Sequence, residues 1–308
     1  MQPKILHIGI FNDREPQWSL RKALKDISSE YFEYDWEQNR KNVNQLIIYY
    51  ANIVDVIFLQ IQSPGVLSPS ILWSVKSKVQ IFNYTGDVRQ PLPQWYVDVA
   101  PYCTTLFTNN TDVEYLKGLG YDAVYFQTGY NVDFYNNAGD KNENAPEIVF
   151  MGNHYPNVFP LSQFRYDMVT FLQREYGNRF QVYGRGYPGA IDLMFKQMEE
   201  GKAYRSAKIA INCSHFNLKQ YSSDRMFRIM GCGTFCLSHR FQDIEKEFME
   251  TIHLRTWGNF DELKMLIDNY LEADDLRNEI ARAGNRLVTE KYTWDYRMKN
   301  DFLQLLNK

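Results

Sequence analysis

The chain has 308 residues, of which 44% are hydrophobic and 23% are charged. This composition supports packed globular cores and argues against extended disorder, and the length suits two domains of about 150 residues each. The net charge of −3 argues against a general electrostatic grip on nucleic acid, although a local basic groove would still be compatible with it.

The apolar runs of the sequence are short. The longest, such as residues 54–59, fall far below the ~20 residues that span a bilayer, and no export signal is visible at the N-terminus. We therefore expect a soluble, cytoplasmic protein without an integral membrane segment. Among four cysteines, Cys232 and Cys236 have roughly zinc-like spacing. Neither a second pair nor a histidine cluster accompanies them, which favours buried thiols over a metal site.

Buried-strand patterns alternate with helix-sized segments along the first half of the chain. Six strands are predicted, at residues 4–11, 31–36, 54–61, 79–84, 105–108 and 123–127. Helices are predicted at residues 18–27, 43–53 and 111–119, and a further helix begins at Ser68 and Pro69. This alternation predicts parallel βαβ units in a doubly wound sheet.

The pattern restarts after a polar stretch. Residues 135–146 have no apolar periodicity and are predicted to link two domains. Further strands are predicted at residues 147–152, 180–183, 208–213 and 234–237. Helices are predicted at residues 161–176 and 224–230 and through most of the tail from residue 259.

These patterns together predict an α/β fold. We expect two Rossmann-like, doubly wound domains that face a cleft, formed by residues 1–138 and 146–292. A C-terminal helix, residues 293–308, is expected to pack back on the N-terminal domain.

Two stretches of the first half stand at strand ends, where open α/β sheets bind ligands. Asn12 and Asp13 follow the first strand, where they could meet hydroxyl groups or form an ordinary turn that caps the next helix. Asp87 and Arg89 follow the fourth predicted strand. The carboxylate there suits hydroxyl binding or base catalysis, or it forms a turn pair with the arginine.

Glycines follow two strands of the second half. Gly152, Asn153 and His154 come at the end of one strand, and Arg185 lies between two glycines at the end of the next. A diphosphate or a base could lie against such a backbone, and the guanidinium has room to fork onto a phosphate. The signal is weak, because turns need glycine anyway.

The strongest signal lies at the start of the predicted helix 224–230. Ser222 and Ser223 offer hydroxyl groups and free backbone N–H groups to an anion. Arg225 places a full positive charge in the first turn, where it opposes the helix dipole, so a bound anion would relieve the mismatch. The alternative is a solvated arginine paired with Asp224.

The sequence from this helix start to about residue 300 resembles the C-terminal half of group 1 GT-B glycosyltransferases, most closely the branch related to the spore-maturation protein CgeB. The matching pattern has an arginine and an aromatic residue on a helix, followed by a small-Cys-Gly-small-aromatic turn into a strand, here Arg225, Phe227 and residues 231–235. Similar features come in order at residues 241–248, 259–263, 280–284 and 292–297.

The resemblance implies sugar transfer from a nucleoside diphosphate sugar, such as a UDP-sugar or GDP-sugar, to a hydroxyl acceptor. It implies a retaining reaction without a metal or other cofactor, with the donor on the C-terminal domain. The residues expected to bind the donor are Gly152, Asn153, His154, Arg185, Ser222, Ser223, Arg225 and Arg228. Those expected to meet the acceptor or the sugar are Asn12, Arg89 and His215. If the reaction inverts, Asp87 or Asp13 is the expected base.

Two positions depart from the family pattern. In the wider group, two glutamates eight positions apart contact the sugar and the ribose, whereas this chain has Gln220 and Arg228 there. Arg228 is then expected to face a phosphate or the acceptor, or to lie on the helix exterior.

Other interpretations stay open. One is a catalytically silent module that binds nucleotide sugars, and another is a glycosyltransferase that acts on modified nucleic-acid bases. A Rossmann dehydrogenase is excluded, because no G-x-G-x-x-G motif follows the first strand. The sequence also leaves open whether the acceptor is a glycan or a small molecule, and whether the chain forms a homodimer.

Overall fold

The computed structural model describes residues 2–11, 18–193 and 196–307. The chain divides into two units. The first unit contains the residues up to Thr128 together with those from Trp294 onward, and the second unit contains Gly129–Thr293. Each unit has one parallel β-sheet, which confirms the predicted α/β class with two Rossmann-like sheets.

The sheet of the first unit has six strands in the order β2-β1-β3-β4-β5-β6. They are β1 (Lys4–Gly9), β2 (Glu30–Asp35), β3 (Val56–Leu59), β4 (Gln80–Thr85), β5 (Thr104–Phe107) and β6 (Ala123–Tyr125). All six lie within segments that were predicted as strands, apart from one-residue extensions at β2, β4 and β5. The helices between them are α1 (Trp18–Ile27), α2 (Val43–Tyr50), α3 (Pro69–Val75), α4 (Gln94–Val99) and α5 (Asn110–Gly118).

The C-terminal segment completes the core of the first unit. It consists of α12 (Trp294–Tyr296), a π-helical segment (Arg297–Phe302) and α13 (Leu303–Leu306). The Phe302 ring lies 5.3 Å from the Phe58 ring and 5.0 Å from the Phe82 ring, in edge-to-face contacts. Phe302 is fully buried. The two ends of the chain therefore share one apolar cluster.

The sheet of the second unit has five strands in the order β11-β10-β9-β7-β8. They are β7 (Ile148–Met151), β8 (Phe180–Tyr183), β9 (Ile209–Asn212), β10 (Phe235–His239) and β11 (Arg255–Trp257). The helices are α6 (Val132–Tyr135), α7 (Ser162–Tyr176), α8 (Gln197–Ser206), α9 (Asp224–Gly231), α10 (Phe260–Glu272) and α11 (Asp274–Lys291). Strands β7 and β9 are buried along their whole length, as is usual where both faces of a parallel sheet are covered.

The polar stretch that was predicted as a linker differs in the structure. Tyr135 is 2% exposed and Ala138 is fully buried, and both belong to an apolar cluster of the second unit. A Cβ atom on Gly201 of α8 would lie only 2.9 Å from the Ala138 Cβ atom, so the two segments are tightly packed. Two apolar side chains among many polar ones are therefore enough to attach residues 135–138 to this unit.

We expect Phe302→Ala to lower the free energy of unfolding of the first unit by about 3–5 kcal/mol, because it removes a buried ring between two others. Chemical denaturation followed by tryptophan fluorescence measures this. Tyr49→Ala is the control, because Tyr49 is 64% exposed and its removal opens no cavity. Equal stabilities of the two variants would contradict the packing role of the C-terminal segment.

Candidate functional site

The strand order of the second sheet reverses at β7, which has β8 on one side and β9 on the other. Loops that leave such a point run in opposite directions, and doubly wound sheets bind ligands in the resulting crevice at the carboxyl ends of the strands. Three loops begin here, at residues 152–154 after β7, 184–186 after β8 and 213–215 after β9. The candidate site is built from these loops and from the start of α9.

Glycine lets the loops after β7 and β8 approach each other closely. Gly184 has a φ of +130°, and a Cβ atom there would overlap the carbonyl oxygen of Gly152. The backbone N–H of Arg185 donates to Asn153 Oδ1 over 2.9 Å, and the N–H of His154 donates to the Arg185 carbonyl oxygen over 2.8 Å. The structure thus brings together four positions that were predicted to bind the donor.

Arg225 lies in the first turn of α9 and reaches the ends of two neighbouring strands. Its Nε donates to the Met151 carbonyl oxygen over 2.5 Å, and its Nη1 donates to the Cys213 carbonyl oxygen over 3.1 Å. The predicted alternative partner, Asp224, instead accepts a hydrogen bond from Arg228 over 2.5 Å. Among the described residues, no carboxylate forms an ion pair with Arg225, so its charge is available to a ligand.

Arg165 is a second arginine at this place, and sequence reasoning missed it. It is fully buried, and within the described part of the chain its guanidinium has no hydrogen-bond partner. Its Cζ lies 5.2 Å from the centre of the Phe150 ring, and that of Arg225 lies 5.4 Å from the same centre. A Cβ atom on Gly152 would overlap Arg165 Nη2 and lie 3.1 Å from Arg225 Nη2. Both guanidinium groups therefore meet at Gly152.

Burial and the neighbouring charge of Arg225 lower the pKa of Arg165 to about 10. The side chain is still charged at neutral pH. A sequence signal for it does exist, because Arg165 shares the buried face of α7 with Met168, Val169 and Leu172 at helical spacing. A charged residue inside such an apolar stripe marks a position where the fold holds a charge away from water.

Two histidines lie at the same end of the unit. Burial, followed by the charges of Arg165 and Arg225, lowers the pKa of His215 to about 3, so this imidazole is neutral at pH 7. Its ring lies 4.6 Å from that of Phe159. Among the described residues, neither its Nδ1 nor that of His154 has a hydrogen-bond partner, although both atoms are buried. The two imidazoles can therefore offer neutral hydrogen-bonding groups to a ligand.

Other predicted donor residues have partners within the loops or none. The Arg185 side chain is 60% exposed and forms a 2.7 Å ion pair with Asp192. Ser223 Oγ donates to Asn212 Oδ1 over 3.1 Å. Ser222 Oγ is buried without a partner in the described part of the chain, so it is oriented by packing alone.

The two positions that depart from the family pattern lie apart from the arginines. Arg228 forms ion pairs with Glu200 and Asp224, at 3.1 Å and 2.5 Å, which directs it along α9 and towards α8. Gln220 Nε2 donates to Glu247 Oε1 over 2.9 Å, and Gln220 has a left-handed φ of +52°. Arg228 is therefore held by internal carboxylates and does not join Arg225.

The predicted acceptor residues belong to the first unit. Asp87 and Arg89 are exposed in the loop that follows β4, and Arg89 Nη2 donates to the Gln62 carbonyl oxygen over 3.4 Å. Asn12 and Asp13 lie outside the described residues.

The cysteines and histidines form no evident metal centre. All four cysteines are buried free thiols. Over the described ranges, no group of three or more His, Cys, Asp or Glu side chains is arranged to hold a metal ion. In the same residues, no helix has the length and apolar character needed to cross a bilayer.

Comparison with known families supports the second unit as the source of the function. Residues 165–302 match a family model described as glycosyl transferase-like. A search of curated proteins gives no significant match.

Solved structures resemble the whole chain. An α-glucosyltransferase (AGT) in complex with UDP has a TM-score of 0.72 at 9% identity, over 99% of this chain and 100% of that one. Sucrose-phosphate synthase from Thermosynechococcus elongatus has a TM-score of 0.64 at 11% identity, over 99% and 98%. Anabaena Alr3699/HepE in complex with UDP-glucose has a TM-score of 0.62 at 9% identity, over 99% and 100%. The fold of the chain and the family match over its second unit together identify it as a glycosyltransferase of the GT-B superfamily.

Proposed function

We propose that this protein transfers a sugar from a nucleoside diphosphate sugar to a hydroxyl acceptor, and that the second unit holds the diphosphate. The observation that carries the proposal is the meeting of Arg165 and Arg225 at Gly152. Two cations without a carboxylate partner among the described residues, placed at a switch point of the sheet, suit a ligand with at least two negative charges.

A uridine nucleotide is the donor that we favour. HepE was solved with UDP-glucose and AGT with UDP, and both have the fold of this chain. The resemblance to the branch related to CgeB leaves a GDP-sugar as the alternative, and that resemblance stays a prediction.

The chemistry follows from where charge develops. When the bond between sugar and diphosphate breaks, the leaving group gains negative charge. The guanidinium of Arg225 and the backbone N–H groups at the start of α9 are fixed in place to stabilise it. We propose a metal-independent reaction, because these cations supply the charge that a bound metal ion would otherwise supply.

Roles for the remaining residues are proposals that rest on their positions. The neutral imidazoles of His154 and His215 would hydrogen-bond the sugar or a phosphate oxygen, and Ser222 would add a hydroxyl group. We assign the acceptor to the first unit. A retaining reaction needs no protein base, whereas in an inverting one Asp87 would take the proton of the acceptor hydroxyl.

A thermal-shift screen tests the proposal, because a ligand that binds only the native state raises its melting temperature. UDP and UDP-glucose are expected to raise it, with GDP and ADP as comparisons. Donor hydrolysis is measured in parallel. Binding without turnover, even in the presence of varied acceptors, would indicate a silent binding module, and no binding of any nucleoside diphosphate would contradict the proposal.

We expect Arg225→Ala to weaken UDP binding by about 1–3 kcal/mol, the scale of one charge-assisted contact. Isothermal titration calorimetry measures the loss. Arg282→Ala is the control, because Arg282 is exposed on α11 of the same unit. If both variants bind UDP like the wild type, Arg225 does not contact the phosphates.

We expect Gly152→Ala to weaken UDP binding about tenfold or more, which corresponds to ~1.4 kcal/mol. The new methyl group would overlap Arg165 Nη2 and displace a guanidinium from the loop. Gly118→Ala serves as the control for a glycine-to-alanine change, since nothing lies within 4 Å of a Cβ atom there. Unchanged UDP affinity in Gly152→Ala would place the phosphates elsewhere.

A further inference from the structure

Arg165 is a buried charge that the described part of the protein does not satisfy. Its exposure is 0%, and none of its three guanidinium nitrogens has a hydrogen-bond partner there. The groups that act most strongly on its charge are Arg225, Tyr187, Cys213 and Tyr221, none of which is a carboxylate. An ionised group removed from water without compensation strongly opposes folding.

The ring of Phe150 compensates only part of this. Its centre lies 5.2 Å from Arg165 Cζ, which is within range of a cation–π contact. A ring face accepts no conventional hydrogen bond from all three nitrogens, and Arg225, at a similar distance from the same ring, adds repulsion. The ligand-free site therefore holds two like charges side by side.

Arg277 shows how the same unit treats a buried arginine with a structural role. It is 5% exposed, which is close to the burial of Arg165. Its Nη1 donates to the Tyr270 carbonyl oxygen over 2.5 Å, and its Nη2 donates to the Asp274 carboxylate over 2.5 Å. The contrast indicates that what Arg165 lacks is supplied from outside the chain.

We propose that Arg165 makes the stability of the second unit depend on occupancy of the donor site, because only a phosphate anion bound at Gly152 supplies its counter-charge. The inference rests on the proposed function, which places the donor diphosphate there. Arg165 acts as a positioning residue: its charge holds the anion against Gly152 and Arg225. It also selects for two adjacent phosphates over one, since a single phosphate monoester brings less charge to two guanidinium groups.

The proposal predicts opposite effects on the empty and the occupied protein. In Arg165→Met, a side chain of similar length fills the space without a charge. We expect the melting temperature of the ligand-free full-length chain to rise by about 3 °C or more. With inorganic pyrophosphate as the probe, at constant ionic strength, we expect at least tenfold weaker binding and a correspondingly smaller thermal shift. Wild-type protein should bind pyrophosphate more tightly than inorganic phosphate.

Arg277→Met is the matched control. It removes an equally buried arginine whose partners are internal, so it should lower the melting temperature of the ligand-free chain and leave pyrophosphate affinity unchanged. An Arg165→Met variant that behaves like this control would overturn the inference. A lowered melting temperature of the ligand-free variant does so as well, whatever happens to binding.

Arg165→Gln covers the case in which the methionine packs badly. If both variants fail to fold, the guanidinium stabilises the ligand-free protein and the inference is wrong. The proposed function fails separately. Wild-type protein that binds pyrophosphate but no nucleotide sugar contradicts that function alone, whereas wild-type binding of both, with Arg165→Met matching Arg277→Met, contradicts this inference alone.

Discussion

The hydrogen bonds of one guanidinium group connect the parts of the candidate site. Arg225 donates to carbonyl oxygens at the ends of β7 and β9 and so joins the start of α9 to the reversal of the sheet. Buried carbonyl groups beyond the end of a strand need a donor, and here that donor is a cation. Because its acceptors are neutral, they fix the position of the guanidinium without cancelling its charge. Local order and attraction for an anion thus come from the same contacts.

Much of the fold was predictable from the sequence, because strands covered on both faces are short continuous apolar runs. The runs that end in β7 and β9 are examples. The exceptions have physical causes. Strand β11 has only three described residues, Arg255–Trp257, too few to show a pattern. Helix α8 has Gly201 in its middle and mostly polar side chains, so its apolar face is invisible until Ala138 is known to pack against it.

The site was less predictable than the fold. Serines and an arginine at a helix start are a local signal, so Arg225 was identifiable from its neighbours in sequence. The partners of Arg228 and Arg185 were not, because Glu200 and Asp192 reach them through the folding of other segments. Arg165 lies in a segment whose apolar spacing predicts a helix but does not by itself indicate a site. Charges that interrupt an apolar stripe carry as much information as the stripe itself.

The return of the chain to the first unit has a consequence for biosynthesis. Within the second unit, Tyr130 pairs with Thr293, so that unit begins and ends at neighbouring points. It is in effect an insertion in the first unit, whose rings at Phe58 and Phe82 pack against Phe302. A ribosome delivers Phe302 only after the whole second unit has been made. The half of the chain that is synthesised first is therefore the half that completes its core last, and until then its apolar surface depends on chaperones or on speed for protection from aggregation.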